Sequence, residues 1–249
     1  MKITKAQLDE GNFYVGTEFD AEFEGGVQID PGLGWVRFRG NLFVGGSIVA
    51  GKGTGIKAGG GIQAGEGIKA GRGIEASGGI QAGRGIQASG GIKAGWGIQA
   101  GGGIQAGEGI KAGRGIKAGR GIKAGWGIEA GRGIEAGGGI EAGGGIKAGR
   151  GIQARGGIEA GGGIQARWGI EAGEGIEAGL SICCKGLSAK LRIFAGLCIW
   201  RIPTPEEQEI VCELLESGTI CYGTLKLAER PHAPKGSPEV VSPTPKEDS

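Results

Sequence analysis

From Ile56 to Ile182 an isoleucine falls at every sixth position, 22 times in succession without a substitution. An alanine stands two residues after each of them as far as Ala178. The unit is Gly-Ile-x-Ala-Gly-x, and the two x positions carry most of the variation. The first takes Lys, Gln or Glu, and the second takes Gly, Arg, Glu or Trp. On a strand, Ile and Ala two apart point to one face, and the residue between them points to the other. The flanking glycines allow a corner, because Gly accepts backbone angles that other residues resist. Each hexad therefore predicts one short strand and one turn. A three-residue strand cannot stand alone. Coiled and stacked, such strands pair with the coils above and below, and the Ile residues merge into one core. The expected fold class is all-β, a parallel β-solenoid. A disordered Gly-rich linker has no reason to keep Ile in register.

The variable residues report the length of one coil. Lys111, Lys117 and Lys123 are followed by Glu129, Glu135 and Glu141. If three hexads close a coil, each of these Lys stacks on the Glu three hexads further along. Opposite charges across a ladder contribute about 0.2–1 kcal/mol each, and like charges cost a similar amount. A spacing of 18 gives six opposite neighbours against three alike, whereas a spacing of 12 gives four against four. The prediction is a triangular prism of about seven coils over the hexads, roughly 30–35 Å long at ~4.8 Å per coil.

The pattern changes at both ends. Residues 1–41 read as an N-terminal β cap, with alternation at Phe13 and Val15 and at Val36 and Phe38, and a turn at "DPGLG". Residues 42–182 are the solenoid, opening with an irregular coil. Residues 183–230 read as a small β-α-β cap. Its first strand is marked by Leu187, Ala189, Leu191, Ile193 and Ala195. Its helix runs through "PTPEEQEIVCELLESG", with Thr204 as N-cap, Glu207 closing a capping box, Ile210, Val211, Leu214 and Leu215 as the apolar face, and Gly218 as the stop. "TICYGTLKLA" is the closing strand. Residues 231–249 hold five of the eight prolines and read as a disordered tail.

Composition narrows the function classes. Glycine makes up 62 of 249 residues, but its spacing of four and two excludes the every-third pattern of collagen. Net charge is only +2. It is uneven, with ten basic and three acidic residues over 56–127 and five basic and seven acidic over 128–181. No stretch reaches the ~18 continuous apolar residues of a membrane span, so no membrane partner is expected. Five cysteines with no CxxC suggest free thiols in a reducing, cytoplasmic setting. Adjacent Cys183 and Cys184 should point to opposite faces. No phosphate-binding loop of the GxxxxGK[ST] type occurs, and no His/Cys cluster suggests a metal or other cofactor.

One constellation follows from the three-hexad coil. The corner position at 60 + 18k reads Gly60, Gly78, Trp96, Arg114, Arg132, Arg150 and Trp168, with Arg167 beside the last. Three stacked Arg between two Trp have no stability rationale, because like charges repel along a ladder. Arg and Trp are enriched where macromolecules bind. Trp96, Arg114, Arg132, Arg150, Arg167 and Trp168 are therefore the candidate partner-binding residues. The expected partner is an acidic protein surface or a nucleic-acid backbone.

"GIKAGR" units resemble those of bactofilin-like and hexapeptide-repeat β-solenoids over residues 42–182. Hexapeptide acyltransferases place a small residue two before the aliphatic one. Here Ala64 follows Ile62 by two, and Gly60 stands two before it. That resemblance implies a catalytic His, and the only histidine is His232 in the tail. The reading is thus a non-enzymatic binding protein or inhibitor, of bacterial, phage or mobile-element character. A self-associating, bactofilin-like scaffold is one alternative, and a hexapeptide-type acyltransferase, disfavoured by the lack of a suitable His, is the other.

Overall fold

The computed structural model describes residues 1–17, 19 and 23–228. His232 and the Pro-rich tail lie outside the described residues. The chain is a parallel β-solenoid with three strands per coil, all pairing in parallel. Through the hexads each strand stacks on the one three hexads along: Ile80 on Ile98, Ile86 on Ile104 and Ile92 on Ile110. We name the three faces by these strands. The first face holds Ile80–Ala82, the second Ile86–Ala88 and the third Ile92–Ala94. Within each strand Ile and Ala are buried and the residue between them is exposed. The core is therefore a continuous column of isoleucine and alanine running up the rod.

The charge ladder has the expected partners. Lys57–Glu75, Lys111–Glu129, Lys117–Glu135 and Lys123–Glu141 are ion pairs of 2.6–2.9 Å between successive coils.

The repeat glycines have a different role from the one their sequence suggests. No glycine with positive φ lies among the hexads. The constraint is proximity. A Cβ at Gly119 would sit 2.1 Å from the carbonyl oxygen of Gly101, one coil below. Four hexads carry a side chain at this position: at Ser77 and Ser89 the corner hydrogen bond to the coil below is 3.1 Å, as at Gly71 and Gly83, and only at Arg155 and Arg167 is it longer. It measures 3.2 and 3.4 Å there, against 2.8–3.1 Å at the repeat glycines.

The solenoid is longer than the hexads. Its third face holds eleven strands, from Gly34–Phe38 to Thr224–Leu227, which at ~4.8 Å each make a rod of roughly 50 Å. The expected seven coils cover only the regular tract. At the N-terminus, Val27–Ile29, Gly34–Phe38 and Leu42–Val44 form a complete coil. Val36 and Phe38 are buried as expected, whereas Val15 is exposed and belongs to no strand.

The C-terminal helix is corrected. Among the described residues there is no α-helix, only 3-10 turns at Lys5–Gln7 and Glu206–Gln208. Half of the expected capping box forms, since the Thr204 N–H donates to the Glu207 carboxylate at 3.0 Å, but the N-cap is Pro205 rather than Thr204 and no side chain caps the turn. The half-formed box supports a single turn. Glu209–Cys212 then joins the third face, with Ile210 on Ile182. The open edge below and the β-branched pair Ile210-Val211 outweigh a short helix. Gly186–Ala195 bends across two faces, leaving Leu191 exposed at the corner. The closing strand is two strands, Leu214–Tyr222 and Thr224–Leu227. Gly218, expected to end a helix, lies within the first of them at φ 111°, and Gly223, at φ 107°, separates the two.

A loop leaves the rod at Gly196 and returns at Gln208. Arg201 donates twice to the Glu207 carboxylate, at 2.6 and 2.5 Å. The Arg201 guanidinium holds the Glu207 carboxyl down at about 2. This pairing is present above the ordinary carboxylate range and is lost as pH falls through about 2.

The glycine constraint gives a direct test. Gly119→Ala should destabilise the protein by about 1–3 kcal/mol, the usual cost of overpacking. Gly138→Ala, whose added Cβ would meet nothing closer than 3.3 Å, should fall within about 0.5 kcal/mol of wild type. Denaturant unfolding of the two variants checks both.

Candidate functional site

Each coil turns three corners, and each corner stacks through backbone hydrogen bonds. At the corner between the third and first faces, the Trp96 N–H donates to the Gly78 carbonyl at 3.1 Å. Arg114 then donates to Trp96, Arg132 to Arg114, Arg150 to Arg132 and Trp168 to Arg150, at 3.0–3.2 Å. The five residues inferred from the sequence spacing are thus one vertical column, about 19 Å from Trp96 to Trp168. All five side chains are exposed. The Arg114 guanidinium lies over the Trp96 ring, 4.8 Å from its centroid, a cation–π contact that orders the top of the column. Arg167 is exposed beside Trp168.

Some of the charges flanking this edge are matched. Lys111–Glu129 flanks it on the third face, and Lys117–Glu135 on the first. Among the described residues, Arg114, Arg132, Arg150 and Arg167 form no ion pair. The column is therefore a ridge of uncompensated positive charge. The other two corners differ. One reads Glu66, Arg84, Gly102, Arg120, Gly138 and Gly156, with Arg84 bridging to Glu66 at 3.7 Å. The other reads Arg72, Gly90, Glu108, Trp126, Gly144, Gly162 and Leu180. Neither stacks two like charges.

Sequence reasoning missed one member of the ridge. The coil above Trp168 has lost a residue, so Gly169 pairs with Gly186 and the spacing is 17. The Lys185 N–H, like that of Gly186, donates to the Trp168 carbonyl. Lys185 therefore extends the column, although its ammonium is shared with Glu213 at 3.5 Å. Only the shortened coil, visible as the break in the Ile period after Ile182, signals it.

The second face lies opposite this edge and carries a short row of like-charged carboxylates. Glu141 stacks on Glu159 and Glu159 on Glu177. These three line an open trough of about 1430 Å³ floored by Gly121, Gly139 and Gly157. Like-charged stacking here is as unfavourable as along the Arg column. Basic side chains also line this trough, among them Lys69, Lys190 and Lys123, the last paired with Glu141, so the Glu row is a local feature facing away from the Arg corner.

The thiols divide by exposure. Cys183 is exposed and Cys184 buried, as alternation requires. Burial pushes the Cys184 thiol up to about 12, with smaller contributions from Cys212 and Cys183. Burial also raises Cys212. The fold holds the neutral thiol. That stabilisation is complete below the ordinary value of 9.0 and is lost as pH rises toward about 12. No protein family, curated protein or solved structure was found to match this chain.

Alkylation of the native protein at pH 8 should therefore modify Cys183 and Cys221 quickly. Cys184 and Cys212 should stay protected until the protein unfolds. Peptide mass mapping at timed intervals reads the four sites separately.

Proposed function

We propose that the Trp96–Trp168 edge binds an acidic macromolecule and that the protein works as a binding protein or inhibitor rather than an enzyme. One observation carries this reading: Arg114, Arg132 and Arg150 stack as unpaired like charges on a single corner, between two exposed tryptophans. Repulsion along that ladder opposes folding, so an acidic partner is what would relieve it. An acidic protein patch offers carboxylates to the guanidiniums. A nucleic-acid strand offers phosphates, and its bases could stack on Trp96 and Trp168. A cytoplasmic setting fits the free thiols.

A second reading is favoured by the Glu141–Glu159–Glu177 row. Its spacing equals that of the Arg column, so the corner of one rod could lie against the second face of another. That arrangement is lateral and repeats, and the self-associating scaffold implied by the bactofilin-like resemblance belongs to this reading.

The test is fluorescence anisotropy with a labelled 30-nucleotide single strand and with labelled poly-glutamate. Wild type is compared with the Arg114→Glu, Arg132→Glu, Arg150→Glu triple variant. Binding of either probe should fall at least tenfold in the variant. For the single strand, log K should drop with log salt at a slope of about −2, as expected for three released counterions. Equal binding by wild type and variant contradicts the edge as a site. Salt-sensitive assemblies that bind neither probe would favour the lateral scaffold.

A further inference from the structure

The two ends of the rod are finished differently. At the N-terminal end every strand of the first coil is covered. Lys2–Ile3 pairs with Val27–Ile29. The Tyr14 N–H donates to the Arg37 carbonyl and the Arg37 N–H to Asn12, which covers Gly34–Phe38. The Phe23 N–H donates to Phe43, and the Gly45 N–H returns to Phe23, which covers Leu42–Val44. Above the core, Tyr14, Phe19, Phe23 and Phe38 pack ring to ring at 5.3–5.7 Å. Ile3 beneath them is fully buried.

The C-terminal end has no such cover among the described residues. Leu214–Tyr222 pairs only with Gly186–Ala195, and Thr224–Leu227 only with Glu209–Cys212. Among the described residues no strand pairs with their outer edges. The core column also stops in the open. Leu225 stacks on Ile210 and Leu227 on Cys212, both 0% exposed, yet Leu225 is 36% exposed and Leu227 61%. Leu215 and Ile220 occupy the same layer and are only partly buried. The Gly196–Gln208 loop leaves the rod from the coil just below, with Ile199 and Ile202 almost fully exposed and Trp200 more than half exposed.

We propose that this open end is an interface with a second copy of the chain, giving a closed, end-to-end dimer. Three features select that occupant. The surface needing cover is a triangle of strand edges around an apolar centre, and an identical end supplies the same triangle. Two ends facing each other across a two-fold axis run their strands antiparallel, so the edge N–H and C=O groups can meet. The exposed apolar side chains here are on the order of several hundred Å² per copy, so two copies approach the roughly 1,000 Å² of a specific interface. The covered N-terminal end then stops growth at two chains. This interface is separate from the Arg column and does not depend on its role.

Sedimentation equilibrium of the full chain from 1 to 100 µM, with small-angle scattering on the same samples, tests the proposal. The expected result is a mass near twice 24.9 kDa and a particle about twice as long as one ~50 Å rod, with unchanged width. Leu225→Lys with Leu227→Lys should weaken the dimer at least tenfold. Ile199→Ser with Ile202→Ser, at side chains that do not touch the rod, gives a second variant that leaves the coils intact. The Arg114, Arg132, Arg150 triple variant should dimerise like wild type. A monomer at 100 µM overturns the proposal, as does a dimer of unchanged length or a mass that climbs beyond two chains.

Discussion

The close approach of one corner to the next governs this molecule. Coils stack at the spacing of paired strands most closely where nothing projects from the residue after each Ala. Gly119 has 2.1 Å between its missing Cβ and the carbonyl below, and the same holds at Gly83, Gly101 and Gly137 within about a tenth of an ångström. With that position empty, each coil can settle on the last, and Ile stacks on Ile without a gap. The isoleucine supplies the burial, and the glycine permits it. Ser77, Ser89, Arg155 and Arg167 mark the tolerance of the device: the corner bonds hold at 3.1 Å at the two serines and stretch to 3.2 and 3.4 Å at the two arginines.

The rest of the surface follows from that stacking. A rigid three-hexad pitch turns a sequence period into a spatial column. Residues far apart in the chain, such as Trp96 and Trp168, become members of one edge. The same rule sets Lys111 on Glu129 and Lys117 on Glu135, and so pairs charges beside that edge. It also stacks Glu141, Glu159 and Glu177 on the opposite face. Because the core needs only Ile, Ala and Gly, the corner and outward positions are free to carry an interaction surface.

Much of this was legible in the sequence because the repeat is strict. The Ile period revealed strands and coils, and the alternation of Lys and Glu revealed the pitch. The Arg–Trp column followed by counting. What could not be read were places where a local signal meets a long-range partner. Thr204 and Glu207 carry a sound helix-start signal, yet Ile210 lies within reach of the open edge at Ile182 and joins it. Seven coils became eleven strands on the third face because Val36 and Leu225 stack in the core without belonging to any hexad. Glycine reads in sequence as backbone freedom, since contacts between coils are invisible in a single chain of letters. Lys185 escaped because the coil beneath it lost one residue.

The central claim is that the pitch gathers Trp96, Arg114, Arg132, Arg150 and Trp168 into one edge. The most direct measurement is the distance between spin labels at Trp96→Cys and Trp168→Cys, with Cys183, Cys198 and Cys221 replaced by Ser. Four three-hexad coils place the two backbones about 19 Å apart, whereas six two-hexad coils would place them about 29 Å apart. A narrow distribution centred at about 19 Å, allowing for the label arms, is the predicted result. A centre at about 29 Å, or a broad distribution, would contradict the shared edge.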